Sequence, residues 1–464
     1  MTDQRPPDVD LLVLGAGMAG LSAAAEAAGQ GAIVGVVEKL DETGGSAALS
    51  AGIFWAPPDY AALRARIPGG EPALGRALAA EFPAAIEWVR DAGVEMSSLI
   101  EGPYFGFGVG HQIDVRGFFE WCRRQVEAGG GWIVRRTTAR ELLRDEIGRV
   151  GGALVEGPDG RTELRAEAVI LASGGFQGDP ALVAAFIGPN ADRVLVRSSP
   201  GSVGDGFRMA AAVGGAASRS LAGFYGHLVG SPVDDWSERH FLPLTQYHSI
   251  YCILVDRNGR RFIDESRGDE YSNQAVVGLP GSRAILLADD ATRRTRVITA
   301  PYPRGEVVDR FRAAADAGAR YAIADTVDGL VEAVAEWGVP AGTLRATLAG
   351  YDRAAAGEEV VVDAPMPATP APLRVAPFHA LEVQPALTFP LGGIRIDADG
   401  RVLDRDERPI RGLYAAGADA GGLYHEGYGG GLGMSCVFGR RAARTALGER
   451  RQRVGAGTGA GIGA

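Results

Sequence analysis

Four consecutive apolar residues, Leu11–Leu14, run into a turn punctuated by Gly15, Gly17 and Gly20 and then into an alanine-rich stretch. A second apolar run, Ala32 to Val37, stops at the acidic Glu38. Short unbroken apolar runs predict strands buried on both faces, and the alanine-rich stretch between them predicts a crossover helix. Residues 72–92 and 115–129 carry helical periodicity and predict two amphipathic helices. Trp132–Arg135, Thr138–Arg140 and Gly151–Glu156 predict short strands of a small sheet. Ala168–Ala172 predicts another buried strand, ending in Ser173-Gly174-Gly175-Phe176. Gly204-Asp205-Gly206 opens a short helix over 207–213, with Asp205 as its cap or as a cofactor ligand.

After Gly214 the pattern changes. Aromatic and histidine residues gather between Phe224 and Tyr251. A hairpin is expected over 253–265, turning at Asn258-Gly259. Residues 306–356 read as helical, and 365–377 as a proline-rich connector. Glycine runs return at Gly392-Gly393, Gly412–Asp419 and Gly427–Gly433, the last leading into a C-terminal helix. The expected organisation is an α/β, Rossmann-like domain split in sequence, with an inserted α+β capping domain. Its boundaries are 1–220, 221–375 and 376–450, followed by a disordered tail over 451–464.

The first strand–turn–helix–strand unit is the setting that a dinucleotide requires. Gly15 permits the tight turn, Gly17 lets the backbone approach a pyrophosphate, and Gly20 allows close helix–strand packing. The helix N-terminus offers N–H groups to phosphates, and Glu38 offers acceptors to a ribose hydroxyl. No second motif of this kind follows. Glycine runs at both chain ends then point to one large cofactor spanning the domain, which suits FAD better than NAD.

The 464 residues, 46% of them hydrophobic, suffice for two or three cored domains. A formal charge of −10 argues against a nucleic-acid partner. The arginines at 440, 441, 444, 450, 451 and 453 read as a solvated helix end. Lys39 is the sole lysine, which removes a Walker-type phosphate loop and makes a catalytic Schiff base improbable. Cys122, Cys252 and Cys436 show no CxxC spacing, and the six histidines show no metal spacing. With no signal-peptide core and no membrane-length apolar run, a cytoplasmic enzyme without a membrane span is expected.

Taken together, Gly15-Ala16-Gly17-Met18-Ala19-Gly20, Glu38-Lys39, Gly44-Gly45-Ser46, Ala172–Phe176, Gly204–Gly206, Arg261–Glu265 and Gly412–Gly417 resemble the FAD-dependent fumarate reductase/succinate dehydrogenase flavoprotein superfamily. The likeness covers nearly the whole chain. It implies an FAD domain with a mobile cap, the substrate between flavin and cap, and desaturation or reduction of a carbon–carbon bond by hydride transfer at flavin N5. The cofactor positions it implies are Gly15, Ala16, Gly17, Ala19, Gly20, Glu38, Lys39, Gly44, Gly45, Ser46, Ala47, Ser50, Ala51 and Gly52. Further along they are Ala139 at the adenine edge, Ala172, Ser173, Gly174, Asp205, Gly417, Asp419 near the ribityl chain, and Gly431 and Leu432 at the start of the last helix. No histidine follows Gly44-Gly45-Ser46, so the FAD is expected to be non-covalent.

Two departures bear on substrate. Where fumarate reductases carry a histidine and an arginine that hold a dicarboxylate, this chain has Phe389 and Tyr428. A dicarboxylate would lose its anchors, at a desolvation cost of several kcal/mol. Tyr428 before glycines resembles the 3-ketosteroid dehydrogenase arrangement, in which a tyrosine hydroxyl and a backbone N–H polarise a ketone. A second tyrosine would remove the proton: Tyr247, Tyr251, Tyr225 or Tyr104, with His248 and His425 as alternatives. Glu265 and Arg267 loosely match a proton relay, or else form a structural ion pair; Arg293 and Arg294 are weaker arginine candidates. Trp55, Phe105, Phe107, Phe389 and Tyr424 would wall a fairly apolar substrate such as a cyclic ketone or 3-ketosteroid.

The leading expectation is therefore an FAD-dependent CH–CH dehydrogenase, its electrons leaving to an unassigned acceptor. A reductase of an unsaturated acid, with Arg267, Arg293 or Arg395 binding the acid and an external electron donor, is the alternative. A flavoprotein sensor or interaction module is the non-enzymatic one.

Overall fold

The computed structural model describes residues 8–101 and 107–459. Two compact units divide the chain: one of residues 1–182, 198–223 and 389–464, the other of residues 183–197 and 224–388.

In the first unit a six-stranded sheet runs in the order Arg401–Leu403, Pro409–Ala415, Val169–Leu171, Leu11–Leu14, Val34–Val37, Trp132–Val134. All its pairings are parallel except the antiparallel edge formed by the first two strands. Leu11–Leu14 and Val34–Val37 are buried throughout, as their apolar runs require. The helix Met18–Gly29 packs chiefly against the C-terminal helix Gly431–Gly459, which begins within the third glycine run. From Leu11–Leu14 the chain adds strands first on one side, to Trp132–Val134, and later on the other, from Val169–Leu171 to Pro409–Ala415. The reversal places a topological switch point at the carboxyl end of the first strand, where α/β sheets bind ligands.

Trp132–Val134 thus belongs to the main sheet, not to the small one expected for it. Its register beside Val34–Val37 is set by Gly35: an added Cβ there would lie 2.5 Å from the Trp132 ring. Thr138–Arg144, Val150–Gly157 and Gly160–Arg165 form a separate antiparallel meander. The two amphipathic helices are Pro72–Asp91 and Val115–Ala128, the latter capped by Asp114 through the Gly117 N–H.

The arginine run on the last helix is not a solvated end. Arg440 pairs with Glu26 at 2.6 Å and lies over the Trp88 ring; Arg441 and Arg444 pair with Glu81; Arg450 pairs with Asp10 at 2.6 Å. These contacts carry helix across the 451 boundary where a disordered tail is expected, to Gly459.

The second unit is built on a sheet ordered Leu195–Val196, Phe378–Pro390, Ala284–Asp289, Ile253–Val255, with Phe224–Gly230 and Tyr321–Ala324 also pairing to the long strand. Its core lies between Leu228, Leu254, Leu286, Phe311 and Leu381 on one face and Ile285, Leu287, Leu330 and Tyr351 on the other. The 306–356 region, expected to be wholly helical, contains the strand Tyr321–Ala324 between the helices Arg310–Asp316 and Val327–Ala335. Gly318, at φ +101°, ends the first helix and lets the chain turn into the sheet. The Asn258-Gly259 turn is formed, with Val255 bridging Arg261.

Among the described residues no helix is long and apolar enough to cross a membrane, and the three cysteines are buried and unpaired.

Candidate functional site

In the first unit, the three fingerprint glycines meet different constraints. An added Cβ at Gly15 would lie 2.2 Å from the Ala172 carbonyl oxygen, and one at Gly20 would lie 1.9 Å from the Gly15 carbonyl oxygen. Both are therefore required by packing within the protein. At Gly17 the nearest atom would be the Gly44 oxygen at 3.8 Å, and φ is an ordinary −84°. Nothing among the described residues demands glycine there, whereas close backbone approach to a bound pyrophosphate does. The residues present fit FAD.

The surrounding residues build one connected seat. Glu38 accepts from the Ala16 and Leu40 N–H groups, both at 2.9 Å, and so fixes the turn at the end of the second strand. The Ser46 hydroxyl accepts from the Ser199 N–H at 3.0 Å. Gly204, not Asp205, is the N-cap of the helix Asp205–Ala212, and no side chain caps it. The Asp205 carboxylate pairs instead with Lys39 at 2.5 Å. Asp419 is buried and accepts from the Ser173 N–H, the Ser173 hydroxyl at 3.1 Å and the Gly175 N–H at 3.0 Å. Burial raises its pKa against the pull of those donors. Its carboxylate therefore pins the 173–175 turn, while Ala139 lies on the Thr138–Arg144 strand of the meander.

At the other glycine run, the Tyr428 hydroxyl accepts the N–H of Gly431, the first residue of the last helix, at 2.8 Å. Trp55, Phe389 and Tyr424 surround its ring, with centroids 5.5, 6.0 and 6.1 Å away. Phe107 meets Trp55 edge-on at 5.9 Å. The Tyr424 hydroxyl donates to the Gly430 carbonyl at 3.0 Å, so this second phenol fixes backbone. Burial, reinforced by Tyr428, raises its pKa well above the usual value. His425 is half-buried, 3.7 Å from Glu426. Tyr104 and Phe105 lie outside the described residues.

The second unit holds the other expected chemical groups, and it sorts them. Glu265 is fully buried and holds Arg261 through both oxygens, at 2.6 and 3.0 Å, while accepting the Leu254 N–H. Its partner is Arg261 and not Arg267, whose guanidinium stacks on Tyr271 at 4.6 Å. Tyr251 lies beneath Arg296 at 4.3 Å. Arg293 is paired with Asp309 and Asp290, Arg294 with Asp290, and, in the first unit, Arg395 with Glu407.

A connected set around Tyr225 went unrecognised in the sequence, apart from that residue itself. The Tyr225 hydroxyl lies 2.8 Å from His227 Nε2, and His227 Nδ1 bonds the Asp269 carboxylate. Burial lowers the His227 pKa, with Asp269 opposing. A neutral ring that donates from Nδ1 to Asp269 has Nε2 as an acceptor for the Tyr225 O–H. Tyr247 packs against His227 at 4.9 Å and also meets Arg197 and Arg310, neither of which the sequence patterns single out.

A family model described as "FAD binding domain" matches residues 10–433. The fumarate reductase (cytochrome) of Shewanella frigidimarina is 28% identical, covering 94% of this chain and 77% of its own. The urocanate reductase of Eggerthella lenta is 28% identical over 89% of this chain and 70% of its own. Among solved structures, 3-ketosteroid delta1-dehydrogenase from Sterolibacterium denitrificans superposes with a TM-score of 0.76 at 20% identity, covering 96% of this chain and 100% of that one.

Proposed function

The chain belongs to the FAD binding domain family, and from that membership we propose that it desaturates, or in reverse reduces, the carbon–carbon bond beside a carbonyl, with the Tyr428 phenol polarising the carbonyl oxygen. FAD, when bound, takes up or supplies the two electrons. Gly15, Gly17, Gly20, Glu38 and the Gly44–Ser46 turn are the residues that would hold it. Relatives named as reductases of fumarate and of urocanate support carbon–carbon bond chemistry in general. The carbonyl preference rests on Tyr428.

The observation that carries this reading is the Gly431 N–H bound to the Tyr428 oxygen. A hydroxyl that accepts a hydrogen bond becomes a stronger donor, and this one accepts at the positive end of a long helix. Aimed at a carbonyl, it stabilises the negative charge that gathers on oxygen as the neighbouring C–H loses its proton. Trp55, Phe389 and Tyr424 supply apolar surface around it, which suits a neutral carbonyl better than a dicarboxylate. Within the second unit, Tyr225 is the tyrosine tied to a proton acceptor, because its hydroxyl meets His227 and Asp269 orients His227. Glu265, spent on Arg261 and Leu254, serves to close the hairpin.

The test is anaerobic titration of the FAD-loaded protein with cyclic ketones, 3-ketosteroids and unsaturated acids. Loss of the flavin's visible absorbance on adding a saturated ketone, with no other reductant, is the expected result. A flavin that no saturated compound bleaches, and that after chemical reduction no enone reoxidises, would sink the proposal.

A further inference from the structure

Two guanidinium groups in the second unit are buried without a carboxylate partner among the described residues. Arg310 is 2% exposed. One of its terminal nitrogens, Nη1, donates to the carbonyls of Val297, Thr299 and Val308 at 3.2, 2.9 and 3.4 Å, and its Nε has no partner. Arg197 is 9% exposed and donates to the Phe241 carbonyl at 2.8 Å, the Thr388 hydroxyl at 3.3 Å and the Tyr247 hydroxyl at 3.5 Å, all neutral groups.

The same unit shows how it compensates buried arginine elsewhere. Arg261 is held by both oxygens of Glu265, and Arg293 lies between Asp309 and Asp290. An ionised guanidinium out of water without such a partner is strongly unfavourable. Asp269, His227 and His248, which lie near Arg197 and Arg310, offer them no compensation. Asp269 is bonded to His227. Burial drives both His227 and His248 toward the neutral form, with Asp269 opposing and Arg197 adding at His227, and Arg310 adding at His248.

Both arginines converge on Tyr247. Arg197 reaches its hydroxyl, and the Arg310 guanidinium lies 5.5 Å from its ring centre. Tyr302 joins them electrostatically: burial, Tyr247 and, least, Glu306 push its pKa up to about 12, against the pull of Arg310 and Arg197, and Glu306 forms no ion pair with either arginine. The two tyrosines are half-buried while the arginines are buried.

We propose that Arg197 and Arg310, flanked by Tyr247 and Tyr302, bind one carboxylate group of an organic acid. The planar guanidinium forks match the two carboxylate oxygens, and the phenols add neutral donors and ring surface for the acid's carbon skeleton. The carboxylate belongs either to the substrate or to a separate effector acid. The site goes beyond the function proposed above and does not depend on it.

The experiment is calorimetric titration of the FAD-loaded full chain with monocarboxylates from acetate to benzoate and cyclohexanecarboxylate, each against its neutral amide. At least one acid should bind, about tenfold or more tighter than its amide. Arg197→Met and Arg310→Met should each weaken acid binding about a hundredfold without touching amide affinity. Arg312→Met, exposed nearby, should change neither. Far-UV circular dichroism and flavin absorbance show whether the variants fold; should they not, the comparison of acid with amide on the unaltered protein decides alone. No preference for any acid over its amide, or full acid affinity in the folded variants, overturns the proposal. With an assigned substrate, competition that raises KM alone identifies the substrate's own carboxylate, and a change in kcat identifies an effector; either supports the site. Because binding is read without turnover, a protein that bleaches with neutral ketones yet ignores acids loses this proposal and keeps the other.

Discussion

The Tyr428 hydroxyl oxygen accepts the N–H of Gly431 at 2.8 Å, so the phenol and the start of the last helix form one polarised unit. Tyr428→Phe keeps the ring among Trp55, Phe389 and Tyr424 and removes only that oxygen. FAD content should stay full while kcat falls about 10²–10³-fold, as when one oxyanion-stabilising donor is lost. Steady-state kinetics beside flavin absorbance check it, and undiminished turnover would rule out the assigned role.

Gly17 and Gly20 should fail in different ways. Gly20→Ala drives a Cβ to 1.9 Å from the Gly15 oxygen and should destabilise the apoprotein by about 1–3 kcal/mol. Gly17→Ala meets nothing closer than 3.8 Å and should leave the apoprotein melting temperature unchanged while weakening FAD binding about tenfold or more. Thermal melts of the apoprotein and FAD titrations separate the two; equal loss of stability would mean that Gly17 is a packing glycine.

If His227 accepts the Tyr225 proton, Asp269→Asn should weaken that acceptor by unsettling its tautomer. The expectation is a fall in kcat of about 10²-fold or more with a displaced pH–rate profile. Tyr225→Phe should give a comparable fall and remove the limb of the pH–rate profile that reports this group. A rate indifferent to Asp269 would leave the trio a structural contact.

Glu265 and Arg261 are both buried, and removing one partner strands the other's charge. Glu265→Gln should cost about 3–5 kcal/mol, read as a lower urea midpoint. A loss below about 1 kcal/mol would show that the pair contributes little to the fold.

His248 sets a pH dependence of stability. Burial, then Arg310, lowers its pKa to about 3; neither ring nitrogen has a hydrogen-bond partner, and the ring packs edge-on to Phe311 at 5.2 Å. Unfolded, it takes a proton near its ordinary value of about 6.5. The unfolded chain therefore binds more protons between those two values. Its contribution is complete above about pH 6.5 and is lost toward pH 3, at about 1.4 kcal/mol per unit at most. Denaturation at several pH values should show a flatter acid limb for His248→Phe.

Much of the first unit was legible because its signals are local. Leu11–Leu14, the three glycines and Glu38 sit within one strand–turn–helix–strand unit, and each residue type answers to a backbone requirement a few residues away. Trp132–Val134 was not legible as a main-sheet strand, because only its register against Gly35 admits the indole. Arg261, rather than Arg267, holds Glu265, although both lie within four residues of it, since burial and direction made that choice and spacing did not.

The amino-acid order by itself determined the nucleotide-binding turn, the split of that domain between chain ends, and the place of Tyr428 before the last helix. Only the tertiary structure decided which charges are compensated. Pairing Asp205 with Lys39, orienting His227 by Asp269, and leaving Arg197 and Arg310 without an acid all depend on contacts between segments far apart in the chain. Burial fixes the strength of those interactions, and a linear pattern of residue types carries no measure of burial.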